Sequence, residues 1–145
     1  MNPNASCGTF MVTEEPVDAV VLSVGDGSAQ LGDTGSLSIG MENNEPVGGF
    51  QFNIGLDTPN ATIVDVLTTD RTANFTVSQA NGIVVGFSLT GDVVQPGTGP
   101  ILDVVMEGFS GGTSVVCLSS IVLSDPMGNG MPSESNCGSF TVSTG

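Results

Sequence analysis

The three cysteines are the most reactive side chains of this 145-residue sequence, and their positions suggest one structural disulfide. Cys117 lies in an apolar run typical of a strand, and Cys137 follows a glycine-rich loop over residues 124–132. A bond between them would close a loop of about 20 residues and stabilise the fold by about 3 kcal/mol. We therefore predict a Cys117–Cys137 disulfide. Cys7 is left over, and an odd cysteine in an exported protein suggests an intermolecular bond or competition for Cys117.

Carboxylates are the other groups that could do chemistry, since the sequence has 15 Asp and Glu residues and no histidine. General acid–base catalysis would fall to a carboxylate pair, as in a glycosidase. Sugar sites also need aromatic platforms, and the sequence has no Trp or Tyr, while its seven Phe mostly fit core positions. We predict no enzymatic activity, and the same lack of stacking surfaces disfavours a carbohydrate-binding module.

Calcium is the metal that these acidic residues could bind, because it takes carboxylate and loop carbonyl oxygens. No Cys-x-x-Cys pair and no histidine cluster supports zinc. The candidate calcium ligands are Asp26, Asp33, Glu42, Glu45, Asp125 and Asn129. None of them has the spacing of an EF-hand, so solvated turn residues are the competing interpretation.

The net charge of −14, with Arg71 as the single basic residue, limits the partners. Nucleic acid is excluded because its binding needs clustered Lys and Arg, and an anionic membrane surface is disfavoured for the same reason. No apolar stretch approaches the length of a membrane span. The absence of lysine and the many acidic residues indicate an extracellular, secreted or cell-surface protein.

Two features of the sequence bear on export. Sequons at Asn4, Asn60 and Asn74 would be glycosylation sites if the source organism glycosylates. The first seven residues have neither the charged nor the apolar region of a signal peptide, so the sequence reads as a mature or excised chain.

Apolar runs alternate with turn residues about every ten positions, which is typical of an antiparallel sandwich or barrel. The predicted strands are residues 19–24, 35–41, 48–56, 62–67, 75–79, 83–89, 101–107, 114–124 and 138–142. Gly25-Asp26-Gly27 is predicted to be a turn, and Asn81-Gly82 a type I′ hairpin, because both of its residues tolerate positive φ. In the third strand, Phe50 and Phe52 share a face that we predict to be core.

The two ends of the sequence carry nearly the same motif. Residues 6–12 read SCGTFMV and residues 136–142 read NCGSFTV, so five of the seven positions are identical or a Ser/Thr exchange. Chance in a low-complexity composition is one explanation, and a tandem array cut out of register is another. The third is strand exchange, in which the N-terminal strand adds to a neighbouring copy. That intersubunit strand would comprise Cys7, Gly8, Thr9, Phe10, Met11 and Val12.

Four segments carry a family resemblance. They are residues 47–54 (VGGFQFNI), 86–91 (GFSLTG), 99–102 (GPIL) and 117–126 (CLSSIVLSDP). In this order they resemble the cohesin-like domains of secreted bacterial and archaeal proteins, over residues 17–142. The resemblance implies a nine-stranded jelly-roll β-sandwich that binds dockerin modules across one flat sheet face, often in calcium-dependent assemblies. No contact residue carries over, and the segment before Val17 departs from the family pattern.

The sequence thus predicts an N-terminal strand or linker segment over residues 1–16 and an all-β, cohesin-like sandwich over residues 17–145. We predict an extracellular structural module that assembles head to tail into a fibre, tube or surface array by donating its N-terminal strand to another copy of itself. The first alternative is a cohesin-type module that binds a dockerin-like or adhesion partner. The second is a carbohydrate-binding module.

Overall fold

The computed structural model describes residues 19–144, which form two β-sheets packed face to face. The strands are β1 (Val20–Val24), β2 (Asp26–Gln30), β3 (Thr34–Asn43), β4 (Gly49–Leu56), β5 (Ala61–Thr68), β6 (Thr76–Ala80), β7 (Ile83–Phe87), β8 (Gly97–Gly108), β9 (Gly112–Ser124), β10 (Gly130–Met131), β11 (Ser133–Asn136) and β12 (Gly138–Ser143). A 3₁₀ helix, Asp70–Thr72, lies between β5 and β6.

The two sheets enclose one apolar core. The five-stranded sheet has the order β11-β1-β3-β8-β5, and the seven-stranded sheet has the order β2-β12-β9-β4-β7-β6, with β10 paired to β9. Phe52 and Phe140 from the seven-stranded sheet and Ile39 and Leu102 from the five-stranded sheet are fully buried between them. The curled sheets form a jelly-roll sandwich, so the predicted fold class is confirmed.

Local sequence signals account for several of these elements. Phe50, Phe52 and Ile54 alternate along β4 and are buried, whereas Gln51 between them is exposed. The β6–β7 hairpin turns at Asn81 and Gly82, whose φ angles of 55° and 82° are those of a type I′ turn. The core face and the hairpin predicted from the sequence are therefore both present.

Two stretches of chain cross from one sheet to the other. Gly25 alone separates β1 from β2, and Cys137 alone separates β11 from β12. The stretches lie side by side, since β1 pairs in parallel with β11 and β2 in parallel with β12. At the crossing they leave no room for a side chain, since a Cβ on Gly138 would lie 2.1 Å from the Gly25 carbonyl oxygen.

Three strands were not predicted. Residues 26–30, whose start was predicted to be a turn, form β2 instead, and β10 and β11 lie in and just after the glycine-rich loop. Small polar residues dominate β2 and β11, so neither shows the apolar alternation by which strands are recognised. β2 and β11 form two parallel pairs, with β12 and β1, in a sandwich whose other described strand pairs are antiparallel.

Candidate binding face

The predicted disulfide is present and lies at the crossing between the sheets. Cys117 on β9 is bonded to Cys137, with a Cα–Cα distance of 4.4 Å. Cys117 alternates along β9 with the buried Val116 and Leu118, so its side chain lies on the outer side of the seven-stranded sheet. The bond therefore ties the β11–β12 crossing to a central strand at the border of that outer face.

Strand register defines the rest of this outer face. One row of paired residues crosses it from Val122 through Gln51 and Val85 to Ser78. The neighbouring rows contain Ser119, Asn53, Ile83 and Ala80 on one side and Ser124, Gly49, Phe87 and Thr76 on the other. We call these residues the uncharged face.

Charge is distributed very unequally between the two sheets. The strands that build the uncharged face, β4, β6, β7 and β9, contain no Asp, Glu, Lys or Arg. The strands of the five-stranded sheet carry five acidic residues, namely Glu42, Asp65, Asp103, Glu107 and Glu134. In a chain of net charge −14, the five-stranded side is therefore acidic, whereas the area built by these four strands of the other side carries no charge, and Asp26 on the edge strand β2 lies beyond it.

The uncharged face also exposes large apolar side chains. Val122 is 59% exposed, Ile83 42% and Phe87 40%. Interface cores are depleted in charged residues, because a buried charge loses its hydration. A neutral, partly apolar sheet surface is thus suited to contact with another protein. The absence of charge from its strands is visible in the sequence. That these strands form one face can be seen only from their pairing in the structure.

Arg71 is occupied inside the fold. Its guanidinium donates to the carbonyl oxygens of Met41, Gly99 and Gln95 and to Oδ1 of Asn43. Partial burial lowers the pKa of Arg71, while hydrogen bonds to four acceptors favour its charged form. The only basic side chain of the chain therefore stabilises a loop junction and is engaged away from the uncharged face.

The predicted calcium ligands lie in several places. Asp26 starts β2 and accepts hydrogen bonds from the backbone N and Oγ of Ser139, and Asp33 lies in the turn after β2. Glu42 is exposed on β3 and Glu45 is in the loop after it. Glu45 lines one surface pocket with Asp125, but residues 19–144 do not bring all six predicted ligands to one centre.

Asp125 and Asn129 are neighbours in the loop before β10. The Asp125 carboxylate accepts hydrogen bonds from the backbone N of Met127 and of Asn129, both at 2.9 Å. The backbone N–H of Asn129 is the main reason that the pKa of Asp125 lies below its ordinary value. Within residues 19–144, no three His, Cys, Asp or Glu side chains come close enough to hold a metal ion. Calcium binding stays a prediction.

The structure bears differently on the predicted glycosylation sites and on the predicted N-terminal strand. Asn60 is 2% exposed, and its Nδ2 donates to the carbonyl oxygens of Gly112 at 2.9 Å and Phe140 at 3.1 Å. A glycan on that nitrogen would break both bonds, so the prediction for Asn60 is wrong for the folded domain. Asn74 is exposed and stays a candidate. Asn4 and the strand predicted at residues 7–12 lie outside the described residues.

Comparison with solved structures identifies the fold. A non-cellulosomal cohesin from the archaeon Archaeoglobus fulgidus superimposes with a TM-score of 0.71 and 20% identity, over 86% of this chain and 91% of that one. CaCohA2 from Clostridium acetobutylicum gives 0.69 and 23%, over 88% and 92%. A chain of a type I cohesin–dockerin complex from Clostridium thermocellum gives 0.70 and 17%, over 86% and 99%.

This chain has the cohesin fold. No protein-family profile and no curated protein matches the sequence. The resemblance read from short segments is thus supported by the three-dimensional architecture, at sequence identities of 17–23%. The part of the chain described here contains no helix long and apolar enough to cross a membrane.

Proposed function

We propose that this cohesin-fold domain is a non-enzymatic, extracellular protein-binding module that docks a separate module on its uncharged face. The Clostridium thermocellum relative is solved as a complex of a type I cohesin with a dockerin. A structural disulfide supports an oxidising, extracellular setting. The observation that carries the proposal is the absence of charge from the four strands of one sheet face in an otherwise acidic molecule.

The uncharged face offers a partner both apolar area and hydrogen bonds. Burying exposed apolar surface contributes about 25 cal/mol per Å² before the entropic losses of association. Gln51 and Asn53 lie beside these apolar groups and can donate to and accept from a partner backbone. We expect a partner with a neutral, apolar contact surface and a basic rim, because the surrounding acidic surface would steer such a protein.

A charge placed at the centre of the uncharged face tests the proposal. Val85 lies in the middle row, and Val105 is a partly buried, outward-facing valine on β8 of the acidic sheet. We expect Val85→Lys to weaken partner binding at least tenfold, because the ammonium would lose its hydration in the interface. The matched Val105→Lys variant should bind as the wild type does, and both should stay folded.

The partner for this measurement would come from the extracellular proteins of the source organism. Protein captured by the immobilised domain would be identified, produced as a separate module and titrated by calorimetry against each variant. Equal affinities for Val85→Lys and wild type, or equal losses in both variants, would reject the uncharged face as the docking surface.

We also propose head-to-tail self-association of the chain through its N-terminal segment. The near-duplication of residues 6–12 by residues 136–142 supports it. The chain enters β1 at Val20 and leaves β12 at Ser143, and these residues lie at opposite ends of the two parallel stretches. Two five-residue strands joined at Gly25 lie between those ends and span at most about 35 Å, so copies joined end to end would form an extended array.

Removal of the N-terminal segment tests self-association. We expect a chain lacking residues 1–13 to keep the sandwich and its disulfide, because residues 20–143 supply every strand of the two described sheets and both bonded cysteines. It should sediment as a monomer at concentrations where the full chain forms larger species. A Phe10→Ser/Val12→Ser chain of full length controls for the change in length and should behave as the deletion does. Larger species that persist in both chains, seen by sedimentation or electron microscopy, would contradict the proposal.

A further inference from the structure

The structure shows what a strand must provide to occupy the β12 position. Cys137 is bonded to Cys117, and Gly138 lies where a Cβ would be 2.1 Å from the Gly25 carbonyl oxygen. Phe140 and Val142 are buried in the core. The position therefore requires cysteine, glycine, a large aromatic side chain and a β-branched side chain, in that spacing.

The N-terminal segment meets all four requirements. Cys7, Gly8, Phe10 and Val12 have the spacing of the four constrained β12 residues and are identical to them. The two positions that differ in more than a Ser/Thr exchange correspond to Asn136, which is exposed, and Thr141, which is partly exposed. Chance similarity would place differences without regard to burial, whereas these differences fall only where the fold tolerates them.

One sandwich has room for one such strand. In this chain β12 fills the position, with β9 paired on one side and β2 on the other. The β12 position of this chain is therefore not open to its own N-terminal segment. A strand that fits a filled position in its own domain can fit the same position in another copy when that position is open.

We infer, building on the proposed self-association, that residues 6–12 act as the β12 strand of a second copy of this chain. Cys7 then takes the place of Cys137. Its thiolate attacks Sγ of the second copy's Cys117, a new S–S bond forms, and that copy's Cys137 leaves as a thiolate. The number of disulfides is unchanged, so the exchange needs no oxidant. Each contact between neighbouring copies in an array would then contain a Cys7–Cys117 disulfide.

A cross-linking experiment with full-length chains tests this inference. The acceptor is a Cys7→Ser/Cys137→Ser/Phe140→Ser chain, which keeps Cys117 but lacks the bond and the core anchor that hold its own β12. The donor is the wild-type chain, and the control donor is Phe10→Ser/Val12→Ser, which keeps Cys7. In a glutathione redox buffer we expect at least tenfold more Cys7–Cys117 cross-link, mapped by mass spectrometry, from the wild-type donor. Equal yields from the two donors would show that the cross-link forms by random collision of thiols, and would overturn the inference.

A grafted chain tests the fit without an open position. Asn136→Ser, Ser139→Thr and Thr141→Met together convert residues 136–142 to the sequence of residues 6–12. We expect an unfolding midpoint within a few degrees of wild type and complete Cys117–Cys137 bonding. A loss as large as that of Phe140→Ser would overturn the inference. This result is independent of self-association, which sedimentation of the native chain measures separately.

Discussion

Replacement of Cys117 and Cys137 together by serine is expected to lower the free energy of unfolding by about 3 kcal/mol, the chain-entropy value for a loop of this length. The bond closes a separation of 20 residues that includes β10, the loop before it and β11. β11 is an exposed edge strand held by a parallel pairing with β1, and β10 has only two residues. This segment has little apolar burial of its own, so the bond should contribute much of its stability.

The measurement is urea unfolding of the double variant in a Cys7→Ser background, which prevents new cross-links. Hydrogen exchange should quicken most in residues 125–137 and least in β4, whose Phe50 and Phe52 remain buried. The matched reference is the Cys7→Ser chain with its disulfide intact. A change in unfolding free energy well below 1 kcal/mol, or uniform quickening of exchange, would contradict this account of the bond.

Periodicity in the sequence was sufficient for strands that bury one face. β4 alternates phenylalanine with polar residues, and the β6–β7 turn has the Asn-Gly pair that its φ angles require. β2 could not be predicted in this way, because only Ala29 among its residues is buried and its pairing partner, β12, is more than 100 residues away. Such strands are specified by the architecture around them rather than by their own pattern.

Burial of polar residues is another property that the sequence alone conceals. Asn60 looked like a surface sequon, yet its amide is a core hydrogen-bond donor to β9 and β12. Only the closure of the sandwich around it makes that role visible. The uncharged face could be predicted from the sequence only in part. The absence of charged residues from its four strands is visible in the sequence. Their assembly into one surface follows only from the register of β9, β4, β7 and β6.

Replacement of Arg71 by methionine is expected to lower the free energy of unfolding by about 3 kcal/mol, because several charge-assisted hydrogen bonds are lost together. Arg71 joins the ends of β3 and β8 through Met41 and Gly99. It also holds Asn43, which is 3% exposed and whose Nδ2 donates to the Val94 carbonyl oxygen. Methionine can fill part of the volume but would leave Oδ1 of the buried Asn43 without this donor.

Arg71→Lys separates geometry from charge in this prediction. Lysine keeps the positive charge but lacks the planar fork that reaches Met41, Gly99 and Asn43 at once. We therefore expect a free energy of unfolding between those of wild type and Arg71→Met.

Urea unfolding should be compared at low salt and at about 0.5 M NaCl, where charges on the surface are screened. A loss that persists at high salt identifies the hydrogen bonds as its cause. Full recovery at high salt, or a lysine variant as stable as wild type, would instead make the single basic residue a counterion for the acidic surface. We expect persistence, because the acceptors around Arg71 are carbonyl and amide oxygens rather than carboxylates.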